Sequence, residues 1–370
     1  MDMNFFLPVK VIFGNGRIGE LGSLVEGNRT MIVSDSVLLE LGFVSEVKEE
    51  AGRTDIIEFC EVEPNPSCET VDRAAKIGRE HSVDTIVAVG GGSVMDTAKA
   101  VACLMSNTGK IKDYLDGSRT FTSRKVRLIC VPTTSGTGSE VTNVGVYTDK
   151  SGGVKKPLVS EFFWSDFAIV DPELTFSLPK SVTASTGLDA LAHAIESYWA
   201  KSSQPVSESL AIRAIDLIMK NLRRACIDGD KESREGLSMA SLLAGMAFSQ
   251  TRTTILHAIS FPLTNVYGVP HGFACALAMP EVLKLNYKVI GEKLDILIRY
   301  LGFEDVGEFA VAIEDLMIVG EAPRKLSEIG IREEDLDGLV DSSLSSPIAK
   351  LNPANIGRKE LREIFEHILQ

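Results

Sequence analysis

Three of the chain's five histidines, His193, His257 and His271, fall between residues 193 and 271, and Asp189 stands four residues before the first. Three imidazoles and one carboxylate are enough donors for one divalent transition metal. An ion held that way stays net positive, so it polarises a carbonyl oxygen or lowers the pKa of a bound alcohol. The ordinary reading of the same residues is an Asp–His side-chain pair one helical turn apart, with two unrelated histidines elsewhere. Cys275, four residues after His271, is a further candidate ligand, although a small buried thiol more commonly just packs.

The elements around these residues must bring them together. Leu188, Leu191, Ala192, Ile195, Tyr198 and Trp199 repeat at helical spacing, which puts Asp189 and His193 on one helix beside an apolar stripe. A carboxylate at the edge of a core is costly without a partner, and a cation is one way to hold it. Spacing alone does not bring His257 and His271 to that helix.

The first half of the chain alternates β-type runs with helical stretches. Segments 30–34, 55–59, 85–89, 127–131 and 167–170 are apolar without alternation, as strands covered on both faces are, and 67–81 and 93–105 read as helices. Beyond 172–182 the β-type runs stop, and helices are expected over 205–222, 232–249, 271–285, 290–301, 306–320 and 358–368. These patterns predict an N-terminal α/β domain over 1–178 and an all-α domain over 179–370.

Two glycine-rich loops follow strands of the first half. Gly90-Gly91-Gly92-Ser93 opens a helix, where backbone N–H groups and the helix dipole favour an anion. Ser93 with Asp96 three residues later also fits a capping pair. No Gly-Lys-Ser/Thr follows, so a dinucleotide pyrophosphate suits this turn better than ATP. The second loop, Pro132 to Glu140, strings together hydroxyls and glycines, including Thr133, Thr134 and Thr137. Asp35, after the strand 30–34, is placed either to accept a ribose hydroxyl or to cap a turn.

A net charge of −13 without a Lys/Arg block argues against nucleic acid. Six scattered cysteines without a C-x-x-C pair read as reduced thiols. The N-terminal stretch lacks a basic region and an apolar core, and no run approaches a membrane span. A cytoplasmic protein is expected.

Taken in order, these segments resemble the iron-dependent (group III) alcohol dehydrogenases. The resemblance runs from Phe13-Gly14-Asn15-Gly16 through Gly90-Gly91-Gly92-Ser93 with Asp96 and Lys99, the Pro132–Glu140 loop and Asp171-Pro172. It continues through Gly187 to Glu196 and Pro270-His271-Gly272. It implies a dehydroquinate synthase-like fold, a Rossmann-like domain followed by a helical one. It also implies iron(II), with zinc as the alternative, on Asp189, His193, His257 and His271. The pyrophosphate falls to Gly91, Gly92 and Ser93, with Asp96 in the same turn, and nucleotide contacts fall to Thr133, Thr134 and Thr137. Asp35 matches a position that favours NAD over NADP, and Lys156 matches a lysine near the nicotinamide. A homodimer or larger homo-oligomer is implied as well.

Two departures stand out. Many relatives carry a second histidine four residues after the third ligand, and here that position is Phe261. The run around Arg252 resembles the branch acting on phosphonoacetaldehyde-like, small anionic aldehydes. Arg252 is the candidate anion clamp, against the plainer reading of an ion-paired surface arginine. The activity implied is hydride transfer between a nicotinamide and a small alcohol or aldehyde. The alternative is a cyclase or lyase of the dehydroquinate synthase kind, which returns the hydride within each turnover.

Overall fold

The computed structural model describes residues 3–25, 28–150, 152 and 154–370; Met1 and Asp2, at the head of the N-terminal stretch, lie outside them. The chain forms two compact units. One comprises Leu7–Thr134 with Gly138–Thr175; the other comprises Phe176–Gln370 with Ser135–Thr137 and the described residues up to Phe6. The divide after Thr175 lies three residues before the 178/179 boundary expected. The N-terminal stretch joins the second unit through Phe6, whose N–H donates to Gln250 Oε1 at 3.1 Å and whose carbonyl accepts from Gln250 Nε2 at 3.0 Å.

Among the described residues the first unit has eight strands: β1 (Lys10–Phe13), β2 (Thr30–Val33), β3 (Ile57–Phe59), β4 (Thr85–Gly90), β5 (Arg127–Pro132), β6 (Val144–Asp149), β7 (Val154–Val159) and β8 (Phe167–Val170). Six form a parallel sheet in the order β1-β8-β5-β4-β2-β3. Successive residues along its central strands feed opposite cores. Met31, Val33, Ile86, Ala88, Leu128 and Cys130 pack on one face, and Ile32, Val87, Val89, Ile129 and Val131 on the other. That is why the strands read as unbroken apolar runs.

The strand expected over 55–59 starts only at Ile57, and Asp55 before it is ion-paired with Arg53. β1 and the antiparallel ribbon β6–β7 were not anticipated. The helices Cys68–Glu80 and Gly92–Leu104 match the expected segments to within a residue.

Glu140 sits inside this unit, 2% exposed, and burial pushes its carboxyl up to about 7. Unfolded, it loses its proton near the ordinary 4.5; folded, it keeps the proton until about 7. Between those values the native state binds the extra proton, so stability falls as pH rises, by about 3 kcal/mol in all. Replacing Glu140 with Gln should therefore raise Tm at pH 8 and leave it near wild type at pH 4.5, as read by calorimetry. An equal change at both pH values would refute the assignment.

The second unit is helical around one continuous core. Its helices are Lys180–Trp199, Pro205–Ile227, Lys231–Thr251, Ile255–Tyr267, His271–Ala276, Met279–Leu301, Val306–Val319, Leu336–Ser345 and Arg358–His367. The helix expected over 271–285 is broken after Ala276, since Pro280 has no N–H to give and occupies the first turn of the next helix. That helix runs on through Ile290, where φ −126° and ψ 34° mark a kink. Ile255–Tyr267 was not anticipated, because Pro262 reads as a breaker yet stands inside it. Among the described residues no helix is long and apolar enough to cross a membrane.

Candidate metal centre and nucleotide loops

Asp189 and His193 lie mid-way along the helix Lys180–Trp199, His257 is in the first turn of Ile255–Tyr267, and His271 opens His271–Ala276. The fold brings all four together. His257 Nε2 lies 3.0 Å from His193 Nε2 and 3.6 Å from Asp189 Oδ1; His271 Nε2 is 3.7 Å and His193 Nδ1 3.9 Å from that same oxygen. Phe248 stacks on the His193 ring at 4.2 Å. Gly272 lets the short helix seat His271 against the long one, since a Cβ there would overlap the Ser185 carbonyl oxygen.

Asp189 Oδ1 is buried and accepts no hydrogen bond, an arrangement that ordinarily costs 1–3 kcal/mol or more for a charged group. Burial opposes its charge, but His193, His271 and His257 outweigh that and hold the carboxyl well below the usual range. Burial pushes His193 down to about 4, so this ring is neutral at pH 7 with a lone pair to offer. The spacings around Oδ1 are too long for hydrogen bonds. Those of His257 and His271 suit donors about 2 Å from a shared ion, whose mutual separations come to roughly 3.3 Å in a tetrahedral set, while His193 turns Nδ1 to Asp189 and Nε2 to His257 and would give one of the two. The residues present fit a divalent transition metal.

Cys275 also enters the cluster: one donor atom from each of Asp189, His257, His271 and Cys275 lies within 4.8 Å of the others. Burial raises its thiol pKa, which works against the thiolate a metal requires. His193, neutral and 3.0 Å from His257 Nε2, is the better fourth donor. The side chain of His271 is 31% exposed against 5–7% for the other three, so the cluster opens on its side.

Arg252 ends the helix Lys231–Thr251 with φ 68° and ψ 171°, a backbone conformation that essentially only glycine adopts without strain. Its N–H still bonds Phe248 O at 2.8 Å, and its half-buried guanidinium is lowered in pKa by burial. Phe261, four residues after His257, is half-buried.

In the α/β unit the two glycine-rich loops meet at the ends of neighbouring strands. Thr133 N–H donates to Gly90 O at 3.1 Å, and a Cβ on Gly91 would stand 3.3 Å from Thr134 Oγ1. Gly91 is the N-cap of Gly92–Leu104 and gives its first turn no side-chain acceptor. Ser93 is therefore inside the helix and makes no capping pair with Asp96; its Oγ accepts from Asn65 N at 3.2 Å.

Both Asp96 carboxylate oxygens are engaged, Oδ1 by Ser139 Oγ at 2.7 Å and Oδ2 by Val146 N at 2.9 Å. Buried Lys99 reaches Ser139 Oγ, Thr142 Oγ1 and Val144 O. This pair anchors the second loop and the ribbon. Thr133 is buried, while Thr134 and Thr137 are half-exposed. Asp35 caps the helix Ser36–Glu40 by accepting Leu38 N–H at 2.9 Å. Lys156 is exposed on β7 opposite Tyr147.

The carboxylate that sequence reasoning passed over is Glu196. It is fully buried and faces His257 Nδ1 at 2.5 Å. Its position one turn beyond His193, inside an apolar helical run, was the available signal.

Two family models together match most of the chain. Residues 8–172 match the iron-containing alcohol dehydrogenase model and residues 183–369 the C-terminal model of the Fe-containing alcohol dehydrogenase family. The chain belongs to the iron-containing alcohol dehydrogenase family and is thus an oxidoreductase, which does not favour the cyclase reading. It is 33% identical to the NAD-dependent methanol dehydrogenase of Bacillus methanolicus, with 99% of this chain and 100% of that one covered. It is also 33% identical to the sulfoacetaldehyde reductase of Bilophila wadsworthia, with 96% of each covered. The crystal structure of sulfoacetaldehyde reductase from Bifidobacterium kashiwanohense in complex with NAD+ superposes with a TM-score of 0.95 at 36% identity, covering 100% of this chain and 99% of that one.

Proposed function

We propose that this protein is an NAD-linked reductase of small anionic aldehydes, working with iron(II) or another divalent ion held by Asp189, His193, His257 and His271. The observation that carries the metal site is the buried Asp189 Oδ1, which has no hydrogen-bond donor and three imidazoles around it. When bound, the metal supplies Lewis acidity towards an aldehyde oxygen, and a nicotinamide supplies the hydride.

The chain's own residues do the rest. Gly91, Gly92 and Ser93, at a helix start without a side-chain cap, present backbone donors to a pyrophosphate. Thr134 and Thr137 line the nucleotide, and buried Thr133 shapes their loop. Asp96 holds that loop in place from within. The free oxygen of Asp35 accepts a ribose hydroxyl and repels a 2′-phosphate, and Lys156 serves the nicotinamide end. Phe261 offers no proton, so proton delivery falls to solvent on the open His271 side. Six free, buried cysteines suit a reducing cytoplasm, and a homo-oligomer is proposed with it.

The anionic substrate rests on Arg252. A residue other than glycine kept in a glycine-only conformation costs about 1–3 kcal/mol, and such strain persists where the side chain is needed. The sulfonate substrate named for two relatives agrees in charge. The test is oxidation of NADH and NADPH by iron(II)-loaded protein with sulfoacetaldehyde, phosphonoacetaldehyde and butanal, with and without a chelator. Chelator-sensitive, NADH-preferring reduction of the anionic aldehydes is expected. Arg252→Ala should raise KM for those two by roughly tenfold or more, from a lost charged hydrogen bond, and leave butanal unaffected. Equal effects on all three aldehydes would remove the clamp.

A further inference from the structure

Glu196 has no exposed surface, yet its carboxylate is matched donor for donor. Oε1 accepts from Thr254 Oγ1 at 2.6 Å and from Leu256 N–H at 2.7 Å, while Oε2 faces His257 Nδ1 at 2.5 Å. Thr254 Oγ1 is itself held by Trp199 Nε1–H at 3.0 Å. The opposite ring nitrogen, His257 Nε2, faces His193 and Asp189 at 3.0 and 3.6 Å. A ring that gives Nε2 to a metal carries its one proton on Nδ1, and a carboxylate facing Nδ1 accepts that proton. Nε2 is then left with its lone pair directed into the cluster.

We propose that Glu196 is a positioning residue for the metal. It locks His257 in the tautomer and ring orientation that make Nε2 a ligand, and it raises the basicity of that nitrogen. The inference rests on the reading that Asp189, His193, His257 and His271 hold a divalent ion. Glu196 touches neither substrate nor ion and acts only through His257. Its side chain is fixed at the other end by Trp199 and Thr254, so the ring inherits the rigidity of two helices and the turn before the second.

The geometry makes Glu196→Gln diagnostic. Thr254 and Leu256 both donate to Oε1, so the amide of the variant keeps its oxygen there and turns its NH2 towards His257 Nδ1. Shape is unchanged, but one acceptor becomes a donor. The ring responds by accepting at Nδ1 and carrying its proton on Nε2, which then has no lone pair for a metal.

The experiment loads wild-type and Glu196→Gln protein with cobalt(II), records the d–d bands, and titrates each with a competing chelator. Tm is measured after the metal has been stripped. Expected are cobalt affinity weakened by roughly 10–100-fold in the variant, altered d–d bands, and a stripped-protein Tm within a few degrees of wild type. Nitrogen-15 spectra of histidine-labelled wild-type protein loaded with zinc should show a ring that carries its proton on Nδ1 and binds the metal through Nε2, which tests the idea without any variant. Affinity within twofold of wild type overturns the proposal. So does a weakened affinity accompanied by a collapsed Tm, or the absence of an Nδ1-protonated ring. If wild-type protein binds no cobalt, the metal reading itself fails, an outcome distinct from these.

Discussion

Replacing His271 with Ala should strip the protein of metal and reduce turnover by on the order of a thousandfold while the fold survives. Lewis-acid assistance is worth several kcal/mol, and about 4 kcal/mol is three powers of ten in rate. His271 is the donor whose loss the fold tolerates best, being half-exposed at the start of a short helix and no part of the apolar core. The measurements are metal content after gel filtration, turnover and Tm on one preparation. Wild-type turnover by a metal-free variant would sink the assignment.

Gly272→Ala is expected to do more damage than its single methyl suggests. The added Cβ would overlap the Ser185 carbonyl oxygen and come within 3.0 Å of Asp189 Cβ. The first of these is backbone and cannot rotate away, so the short helix must lift off Lys180–Trp199. Overpacking of this kind costs about 1–3 kcal/mol. Lifting the helix also carries His271 away from Asp189, now 3.7 Å from it. Tm should fall by several degrees, and bound metal should be lost with it. If the variant keeps both, the close approach of the two helices is not what seats His271.

Legibility in the sequence followed how local the physical cause was. The parallel strands and the helix carrying Asp189 and His193 were readable because burial on both faces, or on one stripe, writes a short-range pattern. His257 and His271 could be proposed as ligands by residue type, but only the packing of two further helices against Lys180–Trp199 brings them there. Ile255–Tyr267 was missed because Pro262 forbids one backbone bond, and tertiary packing overrides that local cost. The ribbon β6–β7 was missed because Lys155, Lys156 and Pro157 dilute any β pattern in it. Ser93 and Asp96 had the spacing of a capping pair, yet the helix begins at Gly92, one residue before Ser93, and the carboxylate turns inward. Glu196 escaped notice because its place in an apolar run marks it as buried but does not say which group it meets. Its partners, Thr254, Leu256 and His257, lie about 60 residues away.

The parallel sheet sorts neighbouring residues of each strand into separate cores, with Val87 and Ala88 on opposite sides of one backbone. The two hydrophobic interiors are therefore interleaved along the chain and cannot drift independently. A one-residue slip in β4 would exchange the contents of both at once, and it would also move Gly90 and Gly91 off the strand end where they meet Thr133 and Thr134. Strand register and the glycine-rich turn are thus one constraint, so the packing that stabilises this unit also sets the position of the turn proposed to face the nucleotide.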